Sequence, residues 1–403
     1  MPRPTRSRRR TFLKTTGALS AVGLAGCLGS IGGGGSDTVR IGAAVPNSGA
    51  LALFGQINQQ GYEFAREQLG GEILGSEFEL VVRDTQTNPS TGVQRIRELV
   101  EQEEVDALIG VTSSAVGINA IQYIKNDAQI PWITSQVGTN AAREESQFCN
   151  PYTFFPWPSF RQMYLANDRL ITEEIPDVDS DQVYIVAMDF EAGQSARDMI
   201  TQRVEARGGT VEGATMVPMS VSDWSTYLPE PSNAESEVIT GFIPGAQAVG
   251  FINQASNFGL TDEKTLAFAG DTTSPIVLSQ VGDAADGMYS SHWYDPNRDT
   301  DLNNTFIDWM GENSDLPPNE AHANGFNQLY SLAQGIEEAG STNPDDVVSA
   351  LEGMSYNSPM GELTYRGEDH QTELNFIADV VEGGSLNTLQ RYPDVIGEAF
   401  CSL

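Results

Sequence analysis

The sequence predicts an α/β fold: two doubly wound parallel-sheet lobes joined by three hinge crossings. Short apolar runs alternate with segments whose apolar residues recur at helical spacing, the pattern of βαβ units around a parallel sheet. The alternation stops at the proline-rich stretch Pro151–Pro158 and then starts again. At 403 residues the chain is long enough for two separate cores.

In chain order, Val39–Val45 reads as a strand, Phe54–Leu69 as a helix, Phe78–Arg83 as a strand and Ser90–Glu101 as a helix. A third strand at Ala107–Ile109 leads into a helix, and Pro131–Thr134 is the fourth strand. The prolines of Pro151–Pro158 mark an extended crossing rather than another βα unit. The rhythm resumes with helix Arg161–Glu174, strand Gln182–Met188, helix Ala192–Arg207 and strand Thr210–Val217. A short helix near Ser222–Leu228 follows, then strand Val238–Ile243, helix Gln247–Phe258, strand Thr265–Ala269 and helix Ser274–Val281. Gly287–Tyr294 reads as a second crossing. Helices Asp301–Asn313, Asn319–Ala339 and Pro344–Leu351 lead to a turn-rich third crossing, Asn357–Gly361, and to strands Glu362–Tyr365 and Leu374–Val381. Residues 39–155 and 297–356 are thereby assigned to an N-terminal lobe, and 156–296 and 357–403 to a C-terminal lobe. Two such lobes line one cleft with their strands' carboxyl ends, where ligands bind and which hinge motion closes.

The stretch Asp106–Ala120 carries the clearest chemistry. Its apolar run ends in Gly110, hydroxyls follow at Thr112, Ser113 and Ser114, and Val116, Ala120 and Ile121 then recur at helical spacing. This is a buried strand, a tight turn and a helix with a serine N-cap. The unpaired N–H groups and partial positive charge of a helix start can hold an anion such as a carboxylate. Taken alone, the stretch reads equally well as an ordinary capped turn.

Several segments in this order resemble the type I periplasmic-binding-protein-like substrate-binding proteins of ABC transporters, in the branched-chain amino acid and amide/urea group. They are Ile41–Gly55, Leu80–Thr85, Ile109–Ala115, Pro131–Thr139, Tyr184–Gln194, Gly209–Gly213, Gly270–Asp271, Gly287–Pro296 and Ser358–Asp369. The resemblance implies a type I periplasmic binding protein fold and a small polar solute, an amino acid of branched-chain or related type, held between the lobes. It implies a carboxylate on Ser113, Ser114 and the loop Gln136, Gly138 and Thr139, and an ammonium on Asp271 of the second lobe. Phe54 and Phe190 would cover the side-chain subsite, although either is ordinarily a core residue. Asp271 could instead cap the helix Ser274–Val281. Ala192 stands where relatives often carry Tyr, so leucine-type specificity does not carry over; His322 and Trp157 are candidates to replace missing contacts. The implied partners are ABC permease and ATPase subunits; a surface sensor, or a binder of an amide, urea or small carboxylate, is the alternative.

The N-terminus agrees with export. Arg8–Lys14 is basic, Gly17–Ala25 is apolar and small, and Leu24-Ala25-Gly26-Cys27 follows. The first part resembles a twin-arginine signal, the second a lipoprotein lipobox, so residues 1–26 are expected to be removed and Cys27 lipidated. Residues 27–38, with Gly32–Gly35, read as a flexible linker from the membrane anchor. The signal holds six of the 22 basic residues and no acidic one, so the remainder carries 16 against 55, a net charge of −39. With only three lysines, this reads as a halophile's surface, an archaeal one, and it excludes nucleic acid as a partner. Cys149 and Cys401 remain in an oxidising compartment and are expected to form a disulfide, the alternative being two buried thiols. There are three histidines and no GxSxG, HExxH or CxxC motif, so no catalysis, metal or cofactor is expected.

Overall fold

The computed structural model describes residues 38–393, 395, 397–399, 401 and 403. The expected signal, Cys27 and the linker up to Asp37 lie outside the described residues. Five parallel strands form the first sheet, in the order Glu79–Asp84, Arg40–Val45, Ala107–Gly110, Trp132–Thr134 and Thr153–Phe154. Alternate side chains face opposite sides. Ile41, Ala43 and Ile109 cluster with Phe64 of helix Ala52–Gln68 and with Phe326 and Leu329 of helix Glu320–Ala339. Leu108 and Trp132 cluster instead with Ile96 of helix Pro89–Glu101 and with Val116 and Ile121 of helix Ser114–Tyr123.

The second sheet has seven strands, in the order Ser385–Tyr392, Phe376–Glu382, Tyr289–His292, Thr265–Ala269, Val238–Phe242, Gln182–Met188 and Thr210–Val217. Phe376–Glu382 pairs antiparallel with both of its neighbours, and the other pairs are parallel. One face packs Val183, Ile185 and Ala187 with Ala196 and Ile200 of helix Glu191–Ala206. The other packs Tyr184, Val186 and Met188 with Phe251 and Ile252 of helix Gly245–Phe258.

The α/β alternation is thus as the sequence predicts, and the differences concern the connections. Within Pro151–Pro158, Thr153–Phe154 adds an edge strand to the first sheet before the chain crosses. Within Gly287–Tyr294, Tyr289–His292 is a strand of the second sheet. Ser222–Leu228 is not helical: the N–H groups of Tyr227 and Leu228 turn back onto the Trp224 carbonyl, and Pro229 opens the helix Pro229–Asn233 instead. Asn357–Gly361 is the turn of a hairpin, Ser355–Ser358 with Gly361–Tyr365, to which Thr372–Glu373 adds a third strand. This small sheet stays with helix Glu320–Ala339, through the Ser331–Tyr365 hydroxyl pair at 2.8 Å, and His370 stacks on Phe154 at 3.9 Å. The third crossing therefore falls just before Phe376, not at Asn357. Strand Ser385–Tyr392, seven of whose eight residues are at least partly exposed, has no apolar alternation by which the sequence could announce it.

The crossings pack on one another. Trp157 meets Trp293 edge to face at 4.8 Å, and Trp293 meets Phe376 at 5.7 Å. Beside them the buried Arg143 guanidinium donates to the Thr139 and Trp157 carbonyls, both at 3.0 Å, and to Gln371 Oε1. Burial lowers its pKa to about 9.

Cys149 and Cys401 are joined by a disulfide with Cα atoms 5.5 Å apart. Because it spans 252 residues of sequence, the double variant Cys149→Ser/Cys401→Ser is expected to lose about 2–4 kcal/mol. Chemical denaturation with and without reductant measures this; a reductant-insensitive midpoint in the wild type would mean the bond is not formed.

Candidate functional site

The strand Ala107–Gly110 ends in two residues of left-handed backbone, Gly110 at φ 102° and Val111 at φ 71°. A Cβ on Gly110 would sit 2.4 Å from the Ala44 carbonyl oxygen, so only glycine fits. For the β-branched Val111 this conformation is strained, and the Val111 N–H holds it by donating to Ala44 O at 2.7 Å. The kink sends the chain outward, so that Thr112, Ser113 and Ser114 line a cavity where helix Ser114–Tyr123 begins. Ser113 is the N-cap and accepts from Val116 N–H at 3.4 Å. The Thr112 hydroxyl is buried and has no partner among the described residues.

Gln136 follows strand Trp132–Thr134 and is oriented by a one-way run of side-chain hydrogen bonds. Tyr62 OH donates to Gln328 Oε1 (2.9 Å), Gln328 Nε2 to Asn58 Oδ1 (3.1 Å), and Asn58 Nδ2 to Gln136 Oε1 (3.0 Å). Ser135 Oγ lies 2.7 Å from the same Gln136 oxygen. The amide oxygen is therefore spent and Nε2, buried without a partner among the described residues, is left over. Thr112 and Gln136 are thus two orphan donors on a wall that also presents a helix N-terminus. Buried donors are seldom left unmet, so this wall is built for an acceptor.

The opposing wall is acidic and aromatic. Asp271 follows strand Thr265–Ala269, in a short turn before helix Pro275–Val281, where no side-chain cap is formed. Burial pushes its carboxyl up to about 8, and the nearby Glu320 carboxyl adds to the effect. Glu320 is itself buried with Oε2 unpartnered among the described residues, and burial raises its pKa, opposed by His292. Glu191, at the start of helix Glu191–Ala206, is raised by burial, against hydrogen bonds from Ser195 and Thr139. Phe160, Phe190 and Phe242 form a ring cluster, with centroids 5.8 Å apart for Phe160–Phe242 and 6.2 Å for Phe190–Phe242.

The two walls enclose about 340 Å³. Among the described residues no Lys, Arg or His lines it. That size, an apolar lining and a few convergent polar groups are the features of a small-molecule site. A sequence profile for periplasmic binding proteins matches residues 38–384. The chain belongs to the periplasmic binding protein family. Relatives of this binding protein include Leu/Ile/Val-binding protein homolog 6 of Brucella melitensis, 23% identical over 356 residues, covering 86% of this chain and 88% of that one. Homolog 1 of Brucella abortus is 24% identical over 352 residues, covering 86% and 91%. Among solved structures, an ABC transporter solute binding protein of R. palustris in complex with benzoate is similar with TM-score 0.82 at 22% identity, covering 91% of this chain and all of that one. An amino acid ABC transporter substrate-binding protein of Pseudomonas fluorescens Pf-5 has TM-score 0.81 at 21% identity, with the same coverage. The chain is thus a binding protein in kind, and the family model and these relatives describe binding proteins rather than enzymes. No helix among the described residues is long and apolar enough to cross a membrane.

Seven of the eight expected ligand residues line the cavity: Phe54, Ser113, Ser114, Gln136, Gly138, Phe190 and Asp271. Thr139 sits behind it, its hydroxyl given to Glu191 and its carbonyl to Arg143. Of the two replacements considered, Trp157 reaches the cavity. His322 does not; it is held by Asn319 and Gln60, and burial lowers its pKa to about 3, so it is neutral. Glu191, Met219 and Phe242 also line the site; the first two follow the carboxyl ends of strands and Phe242 is the last residue of one, a position that would have flagged them. Phe160 and Met163, on helix Phe160–Arg169, carry no such signal.

Burial of the Asp271 carboxyl has a cost to stability. Because its folded pKa is raised, the folded state holds a proton that the unfolded state loses above about pH 4, so this carboxyl's contribution to stability falls as pH rises, until about pH 8. Asp271→Asn is expected to stabilise the fold at pH 9 by on the order of a few kcal/mol, and so to raise its melting temperature, with the gap closing toward pH 4. Melting curves of both proteins across this range check it; an unchanged or widening gap at low pH would contradict it.

Proposed function

We propose that this chain is an extracytoplasmic solute receptor, anchored through a lipid on Cys27 and facing high salt, that delivers a small zwitterionic carboxylate, an amino acid or close relative, to an ABC permease. The reading takes the two sheets as the cores of two lobes, with the small sheet Ser355–Glu373 going with the first. The observation that carries it is the opposition across one cavity of orphan donors, Thr112 and Gln136, to a carboxyl, Asp271. The carboxylate of the solute meets the first wall and its cation the second. The solute and its anchor groups would be desolvated together when hinge motion at the Trp157–Trp293 crossing closes the lobes. An aromatic carboxylate is the second reading, favoured by the rings of the lining and by the benzoate held in the similar R. palustris protein.

A thermal-shift screen at molar salt tests both. A true solute at a hundredfold over its Kd adds about 2.7 kcal/mol of stability. Amino acids, their close relatives, aromatic carboxylates, amides and urea form the panel. Asp271→Ala is expected to abolish the response to an amino acid and to spare a neutral amide. A panel without any response would remove the amino-acid reading, and equal loss for acid and amide would remove the ammonium role of Asp271.

A further inference from the structure

The cation-binding half of the cavity is short of hydrogen-bond acceptors. Its side chains are Phe160, Met163, Phe190, Met219 and Phe242, with Ala192 and Pro244 adding no polar side-chain atom. The Tyr164 phenol beneath it is spent on the Gly241 carbonyl at 3.1 Å. The Glu191 carboxylate is already engaged by Ser195 and Thr139. Of the two carboxyls that line this half among the described residues, Asp271 is the one that receives no side-chain hydrogen bond. Strands Val238–Phe242 and Thr265–Ala269 are parallel neighbours, the first ending in Phe242 and the second leading into the turn that carries Asp271. Asp271 lines the same cavity as the Phe160–Phe190–Phe242 cluster.

A primary ammonium brings three N–H donors that must each find an acceptor in a fixed direction. A quaternary ammonium brings none. It is held by the negative faces of aromatic rings and by a nearby carboxylate, and soft methionine sulfurs suit its methyl surface. We infer that the solute is a betaine-type zwitterion, an N-alkylated amino acid whose quaternary head sits against Phe160, Phe190 and Phe242 beside Asp271. This rests on the reading that the Thr112–Ser114 and Gln136 wall grips a carboxylate. Two carboxyl groups and no base in the lining agree with it, since a plain carboxylate would add a third acid and leave all of them without a counter-charge.

The pH dependence of binding separates the ligand classes. The charged group that bears on Asp271 is Glu320, Asp271 in turn acts on Tyr164, Glu191 lines the same cavity, and His292 acts on Glu320. None of them supplies a cation at the carboxyl itself. Below about pH 8 a cationic head must expel the Asp271 proton, so its affinity rises with pH. Between about pH 6 and about pH 9 the gain approaches a hundredfold. A benzoate-type ligand instead uses the protonated carboxyl, and its affinity falls over the same range.

The test is calorimetry on the full chain at molar salt with N,N,N-trimethylglycine, leucine and benzoate, at both pH values. Trimethylglycine is expected to bind at least about tenfold tighter than leucine, to strengthen with pH, and to lose about tenfold in Phe242→Leu. Phe190→Leu serves where Phe242→Leu melts early. A preference for trimethylglycine of less than tenfold, or affinity that falls with pH, overturns the alkylated head. Leucine or benzoate binding without trimethylglycine does the same while leaving the carboxylate receptor standing. If none of the three binds, both readings fall together.

Discussion

The site depends on a run of hydrogen bonds that all point one way. From the Tyr62 hydroxyl through Gln328 and Asn58 to Gln136, every group accepts from one side and donates to the other. An amide in such a run cannot flip without opposing two donors or two acceptors, so each bond fixes the next. The run begins on helix Ala52–Gln68, passes through helix Glu320–Ala339, returns, and ends after strand Trp132–Thr134. It can exist only because the two helices touch backbone to backbone. A Cβ on Gly61 or Gly325 would lie 2.3 Å from a carbonyl oxygen of the other helix. Packing sets the polarity of the last amide, and that amide's N–H is left to the ligand.

The opposite wall is governed by scarcity of water rather than by hydrogen bonds. Asp271 and Glu320 are buried carboxyls, and burial makes both hold their protons more tightly, against the pull of His292 on Glu320. One wall is thus poised to donate and the other to receive charge. Both walls cost the fold stability, as functional sites commonly do. The strained Val111 belongs to the same account, since it is the kink that turns the hydroxyls toward the cavity.

Much of this was legible in the sequence because it follows from periodicity. Strand and helix runs are set by which residues face a core, and the strands ending at Gly110 and Ala269 lead to Ser113, Ser114 and Asp271 in the lining of the cavity. The resemblance added Gln136, Gly138, Phe54 and Phe190, which pattern alone would have left as loop or core. What the sequence hid depends on pairing between distant segments. Thr153–Phe154 is a strand only because Trp132–Ile133 is beside it, and the Asn357–Gly361 turn closes a hairpin where a crossing was expected. Thr139 looked like its neighbours, but Arg143 and Glu191 claim it from behind. The orphan status of Thr112 and the partners of Gln136 are three-dimensional facts with no local signature.

The return of helix Glu320–Ala339 to the first sheet has a consequence for how the chain acquires its shape. Strands Arg40–Val45 and Ala107–Gly110 emerge early in synthesis, yet part of the surface that covers Ile41, Ala43 and Ile109 comes from Phe326 and Leu329. More than 200 residues must be made before that cover arrives, so the first sheet waits, with part of an apolar face open, while the second is being built. The order of synthesis and the order of consolidation therefore differ: the first sheet is begun first, yet it is covered only after five of the seven strands of the second have been made.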